Sequence, residues 1–282
     1  YLGPWNGVEN VETGAVHRHL NTKKRAVIGA STDVHVMKLI AGADIVIQSE
    51  PSPDPSELRK KYPSLVVVSV TSFGLTGPLA LYLGEEIVHY AYGGPMSASG
   101  DPTRAPLKMG GDLGQYQGGS MAAVSALSAL TIAEKSGQGV HVDLSNIETQ
   151  ITSIDRRAAY LVYASYRNEH VAREGGYRVS PFPMGCRPAL DGHVQVSTLV
   201  NWIPRMLATI EDPEMEELFD DPMWLFNEEH PELADTRLVM WTLTKDRQQA
   251  MAEAQARSWP GTDVDKPVQL MKDPPFKQRE LL

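Results

Sequence analysis

The sequence predicts an α/β protein: a large domain built on a parallel sheet with helices on both faces, followed by a smaller α+β domain. Three observations carry this. Short β-branched runs alternate with helical patterns through residue 165. One of those runs, Leu65-Val66-Val67-Val68-Ser69-Val70, is almost wholly apolar, as a strand buried on both faces must be. Residues 168–188 are rich in loop formers, with Gly175-Gly176, Pro181, Pro183 and Pro188, and beyond them the pattern changes.

In order, the first apolar run is Ala26-Val27-Ile28, a short strand candidate behind the basic cluster Asn21-Thr22-Lys23-Lys24-Arg25. Ser31 or Thr32 is placed to cap a helix through Val34, Met37, Leu39 and Ile40. Ala43-Asp44-Ile45-Val46-Ile47-Gln48 is a strand ending at Pro51, Pro53 and Pro55; Ser56 to Lys61 is a short helix, and Leu65 to Val70 the buried strand. A long small-residue helix runs through Gly118-Gly119-Ser120-Met121-Ala122-Ala123-Val124 and stops at Lys135 and Gly137. Val140 to Leu144 is the next strand, and Ser145-Asn146-Ile147-Glu148 matches a capping box opening a helix through Val162. In the second domain, Asp191-Gly192 turns into the alternating strand His193 to Ser197, Trp202 to Ile210 is helical, and Thr244 to Ala256 is a further helix. Val264 to Leu282, with Pro267, Pro274 and Pro275, reads as a connector. The expected boundaries are 1–165 for the large domain, 166–188 for a linker, 189–261 for the small domain and 262–282 for a return segment.

Composition narrows the function. With 42% hydrophobic residues in 282, the chain has material for a sizeable core. The formal charge of −9, with acidic residues concentrated in 211–235, leaves no basic face for a nucleic-acid backbone. No apolar run approaches the ~20 residues that span a bilayer, and no signal-peptide pattern opens the chain. Cys186 is the only cysteine, so neither an intrachain disulfide nor a thiolate metal cluster is available, and a cytoplasmic location is expected.

The chemistry concentrates in Met109-Gly110-Gly111-Asp112-Leu113-Gly114. An aspartate at this point can be a helix cap, its oxygen accepting from the first unpaired N–H groups, or a carboxylate exposed between glycines for reaction. Other classes lack their signals. There is no GxGxxG or GxxxxGK[ST] loop, the eight histidines show no metal-ligand spacing, and Ser120 lacks the trailing glycine of a nucleophile elbow. No metal or tightly bound cofactor is expected.

The order of segments resembles the family III coenzyme A transferases, which include formyl-CoA, carnitine and bile-acid CoA transferases and the related α-methylacyl-CoA racemase. The resemblance rests on Asn21-x-x-Lys24-Arg25, Ala43-Asp44-Ile45-Val46, Ser72-Phe73-Gly74-x-Thr76-Gly77-Pro78, Gly110-Gly111-Asp112 and Gly137-Gln138-Gly139-x-His141-Val142-Asp143, with Asp191-Gly192-His193-Val194 and Asp220-Asp221-Pro222 in the small domain. It implies a Rossmann-like large domain and an interlocked homodimer. It also implies that the family's first strand and helix would precede Tyr1 and its last segment follow Leu282.

By the same resemblance Asp112 is the nucleophile that carries mixed-anhydride and aspartyl-CoA thioester intermediates between an acyl-CoA donor and a carboxylic acid acceptor. Gly110, Gly111 and Gly114 would leave room for the thioester, and nearby N–H groups would stabilise the oxyanion. Glu86 would orient the centre. Asn21, Lys24 and Arg25 would border the CoA phosphates, with a solvated surface cluster as the alternative, and Phe73 and Gly74 would contact CoA. Gly175 and Gly176 would form an active-site loop or a plain linker. The segment Gln48-Ser49-Glu50-Pro51-Ser52 and the stretch Ile28-Gly29-Ala30 depart from the family pattern, so CoA contacts are not carried over there. The racemase branch supplies a second reading, proton transfer by Asp112 with Glu85 or His89. A third is a catalytically degenerate half of a longer transferase.

Overall fold

The computed structural model describes residues 14–152, 157–169, 173, 177–178, 184–221, 223–224 and 229–279. The chain divides into two compact units, one within residues 1–93 and 110–155, the other within 94–109 and 156–282.

The first unit is built on a three-stranded parallel sheet in the order β1 (Ile45–Gln48), β2 (Val66–Thr71), β3 (His141–Ser145). Helices α1 (Ala15–Leu20), α2 (Val34–Ala41), α3 (Pro55–Lys61), α4 (Glu86–Tyr92), α5 (Leu113–Ser136) and α6 (Asn146–Thr152) surround it. The unalternating run is the central strand. Val66 and Val68 face Ala122, Ala126, Ala129 and Ala133 of α5. Val67 faces the other way, into Ile40 of α2 and Leu58 of α3. Alanine at every inward turn of α5 brings that helix close to the sheet. Its first turn thereby reaches the C-terminal ends of the strands, where open parallel sheets bind ligands.

Local signals explain several element ends. Asp54 caps α3 by accepting from Ser56 and Glu57 N–H, and Ser145 Oγ accepts from Glu148 N–H at the start of α6. Gly137, at φ 70°, ends α5 in the left-handed region. At α2 the N-cap is Asp33, whose carboxylate makes no cap bond to its own helix.

Ala26-Val27-Ile28 is not a strand. Ile28 is 97% exposed and its carbonyl pairs with His35 Nε2 at 3.0 Å; a three-residue run with no strand beside it gains no ladder.

The second unit contains α7 (Arg157–Arg167) and an antiparallel sheet β4 (Tyr177–Arg178), β5 (Met184–Ala189), β6 (Gly192–Val196) and β7 (Gly261–Asp263), in that order. Helices α8 (Ile203–Ile210), α9 (Pro213–Asp220), α10 (His230–Leu243) and α11 (Arg247–Ala256) follow β6, and the short α12 (Pro267–Leu270) and α13 (Pro274–Gln278) lie within the expected connector. The core is large-residue: Met206, Met215, Leu238, Trp241 and Trp259 close around Val194 and Val196.

Residues 184–188, expected as loop, form most of β5. Gly185 and Pro188 hide the strand pattern, and pairing with the alternating β6 holds the segment extended. α10 was not foreseen, because its first turn carries Pro231 and its faces are not segregated. It supplies Asp235, whose carboxylate meets the buried Arg187 guanidinium of β5 at 2.6 and 2.7 Å. Among the described residues no helix is long and apolar enough to cross a membrane.

Candidate active site

The site begins at the turn into α5. Gly111 has φ 69°, a left-handed backbone that glycine adopts without strain, and it turns the chain so that Asp112 stands at the N-cap position. An N-cap carboxylate ordinarily accepts from the second and third N–H groups of its helix. Here it does not: the Asp112 side chain makes no cap bond and is exposed.

The two N–H groups are taken by Glu86, from the first turn of α4. Its buried carboxylate accepts from Gly114 N–H at 2.8 Å and from Gln115 N–H at 3.0 Å. The positive end of the α5 dipole favours a negative charge there.

Gly114 is required by this arrangement. A Cβ on it would lie 3.0 Å from Glu86 Oε2 and 3.1 Å from Gln150 Nε2. The expectation that Gly114 clears space for a thioester is therefore corrected: it clears space for Glu86. The N–H groups of Gly114 and Gln115 are bonded to Glu86, so they are not among those open to an oxyanion. Gly110 and Gly111 do face open space, with nothing within 4 Å of an added Cβ.

Asp112 lines a cavity of about 500 Å³ between the start of α5 and α1, with Val16, Leu20, Gln115, Tyr116 and Ala123 among its walls. A second cavity of about 480 Å³ lies at the C-terminal ends of β1 and β2, lined by Gln48, Ser49, Gly84, Glu85, His89 and Asn146 among others. Gln115 and Gly119 line both. His89 is 4% exposed, and neither ring nitrogen has a hydrogen-bond partner. Burial pushes its imidazole below the ordinary histidine range, against the opposing pull of the Glu86 and Glu85 charges.

The fold thus brings together Asp112, Glu86 and Gly111. Glu85 and His89 line the second cavity, whereas Asp112 lines the first. Asn21, Lys24 and Arg25 line neither. They continue directly from Leu20 at the end of α1, and the Asn21 amide is spent on His17 of that helix, at 3.0 Å to its carbonyl oxygen. Phe73 packs edge-on against Tyr82 and Tyr92, with centroids 5.9 and 5.7 Å apart. Gly74 lies in a turn fixed by Thr71 Oγ1, at 2.9 Å from its N–H, and by Asp143, which accepts from Leu75 N–H. Phe73 and Gly74 line neither cavity. Gly175 and Gly176 lie outside the described residues. Among the described residues no group of His, Cys, Asp or Glu is arranged to hold a metal ion.

Gln48, Gln115 and Gly119 escaped sequence reasoning. Gln48 sits in the segment that departs from the expected pattern, and the glycine spacing around residue 119 reads equally as helix packing.

A model of CoA-transferase family III matches residues 17–282. The chain belongs to this family. Among curated relatives of this family III chain, subunit BbsE of succinyl-CoA:(R)-benzylsuccinate CoA-transferase from Thauera aromatica is 26% identical, over 79% of this chain and 58% of its own length. Succinyl-CoA–D-citramalate CoA-transferase from Chloroflexus aurantiacus is also 26% identical, over 79% of this chain and 56% of its own. The chain therefore spans little more than half the length of these relatives. A CAIB/BAIF family protein from Brucella suis shares the fold, with a TM-score of 0.72 and 22% identity over 91% of this chain and 70% of that one.

Proposed function

We propose that this family III chain transfers coenzyme A from an acyl-CoA donor to a carboxylic acid, with Asp112 as nucleophile. One observation carries the reading: the Asp112 carboxylate is exposed at a cavity wall, while Glu86 accepts the bonds that would otherwise occupy it. The names of the relatives, which describe transfer from succinyl-CoA to other acids, support the same reaction class.

A carboxylate oxygen of Asp112 attacks the thioester carbonyl; the C–S bond breaks and the CoA thiolate leaves, giving a mixed anhydride. The thiolate then attacks the aspartyl carbonyl of that anhydride and expels the donor acid as its carboxylate, giving an aspartyl-CoA thioester. The acceptor carboxylate attacks this thioester and releases thiolate, and the thiolate attacks the acceptor's carbonyl and returns Asp112 as carboxylate. Every leaving group departs as an anion and each released thiolate is the nucleophile of the following step, so no net proton is moved. One difficult exchange becomes a series of easier acyl transfers.

In this scheme Glu86 is a positioning residue, and Lys24 and Arg25 meet the nucleotide phosphates. The family's interlocked homodimer is proposed for this chain too. It is supported by the outward face of α5, where Met121, Val124, Leu127 and Ile132 stand exposed. Sedimentation should give a dimer that persists on dilution; a monomer would remove this part of the proposal.

Trapping tests the chemistry. Incubation with acyl-CoA followed by hydroxylamine or borohydride should modify the peptide containing Asp112. Acyl-CoA that binds and leaves Asp112 unmodified would overturn the proposal. Solvent deuterium entering the acyl α-carbon would favour the racemase reading instead.

A further inference from the structure

Glycine inside a helix costs stability relative to alanine, and α5 carries it at 114, 118 and 119. Two of these positions have a packing reason. A Cβ on Gly114 would press on Glu86 and Gln150, and one on Gly118 would press on Asn146 Oδ1. Gly119 has no such reason, because nothing lies within 4 Å of an added Cβ. It lines both cavities.

The neighbours of Gly119 on α5 sort around it. Gln115, one turn earlier on the same face, also lines both cavities; Tyr116, Ser120 and Ala123 line the one that holds Asp112, and Ala122 lines the other. The ridge of α5 between the two spaces therefore runs along Gln115 and Gly119. At Gly119 the ridge has no side chain, which leaves a notch.

The second cavity suits a carbon chain. Ile47, Val70 and Ala122 give it an apolar wall, and Ile47, although a strand residue, is 56% exposed. Gln48 Oε1 and both His89 ring nitrogens are closed to solvent, so none of these atoms is offered to a ligand. Among the described residues lining this cavity the only formal charge is the Glu85 carboxylate, which disfavours the phosphates of a nucleotide. The first cavity is walled by α1, which leads directly into Lys24 and Arg25. A thiol arm running from Asp112 to those cations leaves on that side, and the acyl chain is left with the notch.

A helical rise of about 1.5 Å per residue sets Gly119 ~10 Å along the axis from Asp112. An acetyl group on Asp112 ends short of the notch, whereas a longer chain reaches it. Resting on the transferase reading above, we infer that Gly119 determines the length of acid this chain accepts: its bare backbone lets the carbon chain of a medium-length acid pass from the Asp112 cavity into the second one. A side chain at 119 closes that passage. The competing reason for an exposed helix glycine is close approach of a second copy, and the experiment separates the two.

Acetyl-, butyryl-, hexanoyl- and octanoyl-CoA are each incubated with the full chain and their own deuterated free acid, and entry of label into the thioester is followed by mass spectrometry. Donor and acceptor then carry the same chain. The octanoyl-to-acetyl ratio of kcat/KM should be on the order of 10²-fold in the parent, as burial of methylenes contributes to binding. Gly119→Leu should lower that ratio by about 10-fold or more, the scale on which a pocket senses one methylene, and Gly119→Ala should lower it by less, whatever the absolute rates. The alanine variant guards against a folding failure in the larger one. A parent that prefers acetyl-CoA, or a ratio that both variants keep, would overturn the inference. So would an equal loss for every donor in both variants, because the notch would then hold the thiol arm, or a loss that accompanies dissociation of the dimer in sedimentation, because Gly119 would then serve the subunit contact. Modification of Asp112 is read in the same samples: adducts without a chain-length preference defeat this inference alone, and no exchange and no adduct from any donor defeats the transferase reading and this inference with it.

Discussion

At the start of α9 the Asp212 carboxylate accepts from Glu214 N–H at 3.0 Å and from Met215 N–H at 3.1 Å. At the start of α5 the equivalent N–H groups, on Gly114 and Gln115, bond to Glu86 at 2.8 and 3.0 Å, and Asp112 at the N-cap makes no such bond. Both aspartates stand at N-cap positions, so residue type and place on the helix do not separate them. A competing carboxylate on another helix does, and it turns the second aspartate from a structural group into an exposed one.

The sharpest way to break this comparison is to remove each aspartate. Asp112→Ala should lower CoA transfer by roughly 10⁴-fold or more, as loss of a covalent nucleophile does, with unfolding stability within about 0.5 kcal/mol of the parent. A large stability loss would mean that Asp112 caps its helix after all. Glu86→Ala strands two N–H donors, one buried and one partly buried, and should destabilise by roughly 2 kcal/mol in urea unfolding; Glu86→Gln, which keeps one oxygen as acceptor, should recover part of that loss. Asp212→Ala should cost about 1 kcal/mol, the ordinary value of a lost cap.

Two glycines refine the picture with opposite signs. Gly119→Ala adds a methyl in open space on a helix and should stabilise by up to about 1 kcal/mol. Gly114→Ala has the same propensity gain but pushes on Glu86 and Gln150, and should destabilise.

The smallest effect is a pH dependence. The folded-state pKa of His89 lies below its ordinary value of 6.5, with burial the principal cause. The unfolded chain therefore takes up a proton that the folded one resists, so stability is full above the ordinary value and falls as pH drops below it. Urea midpoints at about pH 7.5 and about pH 5.5 should show a smaller acid loss in His89→Phe than in the parent. An equal loss would assign the effect to other groups.

The same contrast explains what was legible beforehand. The unbroken valines of β2, the alanines of α5 and the Gly137 stop are local patterns, and each corresponds to the element it predicted. Asp112 stands out as a candidate because its glycine setting and the segments around it repeat a family order. The partner that distinguishes it from a cap could not be read locally, since Glu86 meets Gly114 from 28 residues upstream. β5 was hidden by Gly185 and Pro188 and is specified by β6 beside it. The second cavity was missed for a like reason: Gln48, Val70, His89, Gln115 and Asn146 come from five separate elements and share no spacing.

A cap supplied by its own helix acts as soon as that helix forms, whereas Glu86 reaches the start of α5 only once α4 has docked. In an isolated peptide covering 108–136, Asp112 would meet no competitor for the N–H groups of residues 114 and 115, and would be drawn onto them. Completion of the fold releases it. The exposure of this carboxylate is thus tied to tertiary structure, and a partly folded chain would hold the proposed nucleophile engaged.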